Sequence, residues 1–216
     1  EIDFSNNFFR DNTSRLGKIL ANRFFEDEIN LSNCVFDYYC EATGNPNMYW
    51  VKVDEPDEVD YEETTSDQCP IDWDVWVSPT GSDDGEGSES QPFQTINWAL
   101  SVVVGTEDNP VTINLTEGTF SPSTTGEIFD IIMVSNVNLI GQGEEVTILD
   151  AEQMDRVISI GGCYNNIISD ITITGGSSQG DSNYNRGGGI VVANSDPILR
   201  NIIIWKNIFT LKIICI

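Results

Sequence analysis

One short apolar word recurs along the second half of this chain at a nearly constant spacing. Val137 and Leu139 in NVNLIG, Ile171 and Ile173 in SDITITGG, and Ile202 and Ile204 in RNIIIWKN stand 34 residues apart (171 − 137) and then 31 (202 − 171). A second series, VISIGG and GIVVAN, sets Ile158 and Ile160 32 residues before Ile190 and Val192 (190 − 158, 192 − 160). Self-similarity at a fixed period marks a solenoid, because a repeat this small cannot bury its own apolar face and must stack on the next copy. The fold class read from the spacing is all-β, with short strands at three corners of each coil.

Stacked strands lie about 4.8 Å apart, so equivalent residues of successive coils form ladders. The spacing predicts one ladder of Val137, Ile171 and Ile202 and another of Leu139, Ile173 and Ile204. VTILDA supplies a third strand, with Val146 and Ile148 as the inward pair and Thr147 facing the other way. Each buried aliphatic side chain contributes about 1.5–3 kcal/mol before conformational entropy is subtracted. Gly141, Gly143, Gly161, Gly162, Gly175, Gly176, Asn194 and Asn201 are expected at the corners, which need positive φ or side-chain to backbone hydrogen bonds.

The N-terminal segment repeats with a shorter step. FSNNFF (4–9) and LSNCVF (31–36) align at an offset of 27 (31 − 4), matching Ile2 to Ile29 and Phe9 to Phe36. Stacked coils would set Asn6 over Asn33 as an amide ladder, and an ordinary hairpin pair is the alternative. Residues 1–40 therefore read as closing coils of one array. Residues 41–72, with VDEPDEVDYEE and a strand-like MYWVKV, read as an acidic junction. A second array occupies 73–207, and 208–216 is an atypical end without the expected turn residues. Within the second array Val75–Val77 reads as a strand. A helix opened by Ser90 near Pro92 follows, with Phe93, Ile96, Leu100 and Val103 as its apolar stripe. A helix across the open end of a solenoid protects unpaired strand edges from aggregation.

The charge balance excludes one class of partner. The 216 residues carry a net charge of −25 and no His, and no Lys or Arg occurs between Val53 and Asp155. Such a surface repels phosphate backbones, so nucleic-acid binding is not expected. Surface carboxylates keep a β-rich protein soluble instead. Of Cys34, Cys40, Cys69, Cys163 and Cys215, the first three flank the acidic stretch and are candidates for a disulfide in an oxidising compartment. None has zinc-ligand spacing. No signal peptide or membrane-spanning run is visible, so membrane insertion is not expected. The opening EIDFSNN reads as mid-strand, so any export signal is expected outside this sequence.

WVSPTGSDDGEG, QPFQTINWAL and INLTEGTFSP together resemble the start of right-handed parallel β-helix domains of the pectin-lyase-like superfamily, as found in repeat-rich exported bacterial proteins. VNLIGQGEEVTILDA, ISDITITGG and GGGIVVANSDPILRNIIIWKN resemble their coils. The resemblance covers roughly 74–207 and implies a right-handed parallel β-helix with a short N-terminal capping helix, preceded by the end of a second β-helix-like array. It further implies an extracellular or cell-surface location. That scaffold hosts lyases, hydrolases, adhesins and stalks alike, so function has to be argued from sites.

Few residues offer chemistry. Asp150, Glu152 and Asp155 beside Arg156 are candidates for acid–base work, as is Asp181 near Arg186, but the first group falls within one turn rather than on successive coils. SDDGEGSE gathers Asp83, Asp84, Glu86 and Glu89 as Ca²⁺ candidates without the ligand spacing of an EF-hand loop. The glycine-rich insertion 175–189 carries Asn183, Tyr184, Asn185 and Arg186, a set able to stack on and hydrogen-bond a polysaccharide or cell-surface glycan. The sequence therefore reads as a non-catalytic extracellular scaffold, stalk or adhesin-like segment with no required cofactor. A polysaccharide lyase or glycoside hydrolase is the alternative.

Overall fold

The computed structural model describes residues 71–179 and 187–210, together with the backbone of seven short strands between Ile2 and Asp60. The chain divides into two compact units, Glu1–Ile71 and Asp72–Ile216. In the first unit β1 (Ile2–Asp3), β2 (Phe8–Phe9) and β3 (Leu20–Asn22) pair in parallel with β4 (Ile29–Asn30), β5 (Val35–Phe36) and β6 (Val51–Val53) respectively. Ile2 faces Ile29 and Phe9 faces Phe36, the register expected from the 27-residue repeat. The parallel series also enters the stretch read as a junction, where β7 (Val59–Asp60) pairs with β4. Asn6, Asn33, Cys34, Cys40 and Cys69 lie outside the described residues.

The second unit is a parallel β-solenoid. It comprises β8 (Val75–Val77), β9 (Val111–Leu115), β10 (Gly118–Phe120), β11 (Ile131–Ile132), β12 (Val137–Ile140), β13 (Thr147–Asp150), β14 (Ile158–Gly161), β15 (Ile167–Thr174), β16 (Ser177–Gln179), β17 (Ile190–Ala193), β18 (Ile198–Ile204) and β19 (Ile208–Thr210). Every strand pairing among them is parallel. One column stacks Val75, Ile113, Leu139, Ile168 and Leu199. A second stacks Phe120, Leu149, Ile173 and Ile204. A third stacks Ile131, Ile158 and Ile190. The first members of each column are fully buried, so the core is a set of aliphatic files rather than one central cluster.

Half of the expected ladder is correct and half is displaced. Ile171 opposes Ile202 and Ile173 opposes Ile204, as the spacing predicts. Leu139, however, opposes Ile168 rather than Ile173, and Val137 opposes Val111 rather than meeting Ile171. The cause is Asp170, whose φ of 60° bends β15 into two arms. The first arm pairs with β12 and the second with β13. NNIISDITIT thus holds two strand words joined by a single left-handed residue, a conformation Asp and Asn tolerate better than other L-residues. Asn201, φ 47°, bends β18 in the same way.

The phase of β13 also differs from expectation. Thr147, Leu149 and Ala151 are buried, while Val146 is 38% exposed. Apolar residues on both faces of VTIL leave alternation ambiguous, and a one-residue slip exchanges the faces. Thr147 is satisfied inside because its Oγ1 donates to Thr116 O at 3.2 Å and accepts from Gln142 N at 3.0 Å.

The helix α1 spans Ile96–Val102, shorter than predicted, and its N-cap is Thr95 rather than Ser90. Residues 87–93 form a tight turn instead: Ser88 pairs antiparallel with Gln91 around 89–90, and Phe93 bridges Val77 in parallel. The stripe of Phe93, Ile96, Leu100 and Val103 is buried as predicted, with α1 packed on β8, β9 and β11. Among the corner residues, Gly143, Gly162, Gly175, Asn194 and Asn201 have positive φ. Gly141 serves by crowding, since a Cβ there would lie 2.2 Å from Asp170 O. The glycine-rich insertion contains β16, which pairs with β19, so the first residues after Asn207 continue the ladder.

Candidate functional site

Three polar clusters stand out among the described residues. The first joins Asp130, Arg156 and Ser159 across two coils. Arg156 Nε donates to Gly187 O at 2.7 Å, and its Nη1 donates to Ser159 Oγ at 3.1 Å and to Asp130 Oδ2 at 3.4 Å. The Ser159 hydroxyl donates to the same Asp130 oxygen. The Arg156 and Asp130 side chains are only 13% and 15% exposed. The coil step sets this geometry, for Asp130 and Arg156 immediately precede the paired strands β11 and β14.

The polar groups of this cluster are engaged with one another and with the neighbouring coils: Arg156 Nε and Nη1 meet Gly187 O, Ser159 Oγ and Asp130 Oδ2, and the Ser159 hydroxyl meets the same carboxylate. Ser159 has no imidazole to activate it, since the chain contains no His. What the arrangement does is tie three coils together at the third face.

The second cluster was not found by sequence reasoning. Glu127 is buried, and its Oε2 accepts from Ile96 N at 2.6 Å while Oε1 accepts from Asn97 N at 3.2 Å and Asn97 Nδ2 at 2.6 Å. It therefore caps α1 from 31 residues away. Burial pushes its carboxyl above the ordinary value, outweighing the lowering effect of the Ile96 and Asn97 hydrogen bonds. No spacing in the sequence points to it, because its partners are two backbone N–H groups and one side-chain amide at the start of α1.

The third cluster is Glu152 with Ser121 and Ser123. Glu152 Oε1 accepts from Ser121 Oγ at 2.8 Å and from Ser123, and these hydroxyls, Ser123 first, hold its carboxyl below the ordinary range.

Those sequence-predicted site residues that are described make local contacts. Arg156 is paired with Asp130, not with Asp150 or Asp155. Asp150 Oδ1 accepts from Glu152 N at 2.9 Å, and Asp155 Oδ1 from Arg156 N at 2.8 Å, so both act locally as turn acceptors. Asp83 Oδ1 accepts from Gln94 N and Thr95 N at 2.8 and 2.9 Å, and Oδ2 from Thr95 Oγ1 at 2.8 Å. Its carboxylate braces the approach to α1, while Asp84, Glu86 and Glu89 point to solvent. Among the described residues no group of three or more acidic, Cys or His side chains is placed to hold a metal ion. Asp181, Asn183, Tyr184, Asn185 and Arg186 lie outside the described residues. Cys163 is buried and outside any disulfide, its thiol donating to Met133 O at 3.0 Å. Among the described residues no helix is long and apolar enough to cross a membrane.

Parallel pairing in register, aliphatic files and polar side chains spent on neighbouring coils define a parallel β-solenoid protein. Residues 79–209 match the family described as "Protein of unknown function (DUF1565)", and the chain belongs to that family. No curated protein and no solved structure matches it.

Proposed function

We propose that this chain is a non-catalytic scaffold of the pectin-lyase-like superfamily, placed outside the cell or on its surface, where it spaces or presents other elements. The observation that supports this reading is the engagement of Arg156, whose Nε and Nη1 donors go to Gly187 O, Ser159 Oγ and Asp130 Oδ2 rather than to an open face. Glycan contact is assigned to Asn183, Tyr184, Asn185 and Arg186 on the residue types of that loop.

Incubation with acidic and neutral polysaccharides in the presence of Ca²⁺, followed by assay for new unsaturated or reducing ends, tests the reading. No product is expected, and Arg156→Lys is expected to lower stability by about 2 kcal/mol through loss of its forked contacts. Turnover by the wild-type chain that Arg156→Lys abolishes without loss of stability would establish the lyase or hydrolase reading instead.

A further inference from the structure

Four successive backbone N–H groups at the entrance to α1 are held by two carboxylates. Asp83 Oδ1 accepts from Gln94 N and Thr95 N, while Glu127 accepts from Ile96 N through Oε2 and from Asn97 N through Oε1. The two acids come from opposite directions in the chain, 11 residues before Gln94 and 31 after Ile96. Each also grips a side chain, Asp83 the Thr95 hydroxyl and Glu127 the Asn97 amide. A seven-residue helix is too short to persist by itself, so α1 depends on this grip and on its own packing. Its buried face, Ile96, Ala99 and Leu100, lies against β8, β9 and β11.

The clamp contains no cation. Glu127 is 1% exposed, and α1, β8, β9, β11 and residues 121–126 carry no ionisable side chain. Asp83 brings a second acid to the adjoining pair of N–H groups. Of the other acids, Asp130 meets Arg156 and Ser159, Glu152 meets Ser121 and Ser123, and Asp84, Glu86 and Glu89 are exposed. Burial therefore acts on an uncompensated charge, and it raises the Glu127 carboxyl against the opposing pull of the Ile96 and Asn97 hydrogen bonds. An ionised Glu127 gains hydration when α1 lifts away. A neutral one keeps its carbonyl oxygen as an acceptor without burying a charge.

We propose that Asp83 and Glu127 form a proton-dependent clamp, which holds α1 over the first coil while Glu127 is protonated and lets α1 open locally as Glu127 ionises. The stacked strands stay closed during that opening, because their columns and ladders do not include the clamp. Glu127 is the proton switch, and Asp83 is a fixed brace on the same segment.

Amide hydrogen exchange of the full chain from about pH 4 to 7, expressed as protection factors, tests this. In the wild type the amides of Trp98, Ala99 and Val103, all hydrogen-bonded within α1, report the opening. Their protection is expected to fall by up to about tenfold per pH unit above the ordinary 4.5 of a glutamate, one proton being released per opening. Protection in β12 and β15 is expected to hold. Glu127→Gln is expected to remove the slope, and Asp83→Asn to lower protection of α1 about two- to tenfold at every pH while leaving the slope. Protected β12 and β15 amides show that each variant folds. A flat profile for α1 in the wild type, a fall in step with β12 and β15, a slope that survives Glu127→Gln, or one that Asp83→Asn removes overturns the proposal.

Discussion

Asn165 donates from Nδ2 to the Oδ1 of Asn136 across 2.9 Å, and both residues hold left-handed backbone, with φ of 58° and 60°. The pair shows the working unit of this fold, in which one residue type meets a conformational demand and a stacking demand together. Asp170 and Asn201 repeat it at the next corner, Asn201 Nδ2 donating to Asp170 Oδ1 at 2.8 Å. Asn and Asp occupy left-handed positions at low cost, and their side chains reach the neighbouring coil.

Replacing Asn165 separates the two demands. Asn165→Gly keeps the backbone and loses the bond, at a cost of about 0.5–1 kcal/mol, whereas Asn165→Ala adds left-handed strain and costs about 1–2 kcal/mol more. Urea unfolding of both variants measures the difference. Equal destabilisation would show that the backbone conformation there carries no penalty.

The phase of β13 gives a second contrast. Leu149→Ala removes a fully buried side chain between Phe120 and Ile173 and is expected to cost about 2–5 kcal/mol. Val146→Ala, at a position 38% exposed, is expected to cost under about 1 kcal/mol. The reverse ranking in thermal or urea unfolding would restore the opposite phase.

Glu127 predicts a pH dependence of definite sign. A carboxyl raised above its ordinary 4.5 by burial binds its proton more tightly folded than unfolded. Its contribution is present below the unfolded value and is lost as pH rises through the folded one. The wild-type chain is therefore expected to lose stability relative to Glu127→Gln as pH climbs from below 4.5 toward neutrality. Unfolding midpoints for both chains over that range read this directly, and a gap independent of pH would refute it.

Asp170 predicts the opposite sign. The Ser169 hydroxyl, at 2.6 Å, and then the Asn201 amide hold its carboxyl below the ordinary 3.8. That stabilisation is present above the unfolded value and is lost as pH falls through the folded one. Ser169→Ala is expected to move the Asp170 titration upward, which an NMR carboxyl titration detects. An unmoved titration would remove the hydroxyl as the cause.

The parallel stacking was legible because aliphatic columns must be filled at every coil, which leaves a periodic trace even in a divergent repeat. Ile158 over Ile190 and Ile171 over Ile202 follow from that trace alone. The register from Leu139 to Ile168 did not, because a corner made by the single residue Asp170 writes two strands as one word. The coil before it spends six residues, 141–146, between β12 and β13, so corresponding words drift. Site geometry was less legible still. Asp130, Arg156 and Ser159 meet only once the coil step is known, and Glu127 reaches α1 through backbone N–H groups that no side-chain pattern advertises.

The register of the columns is the claim on which the rest depends, and methyl–methyl NOEs in Ile- and Leu-labelled protein test it most directly. Cross-peaks are predicted between Leu139 and Ile168 and between Ile168 and Leu199, all in one parallel column. Leu139 contacting Ile173 in place of Ile168, or antiparallel Hα–Hα contacts between β9, β12 and β15, would contradict the account.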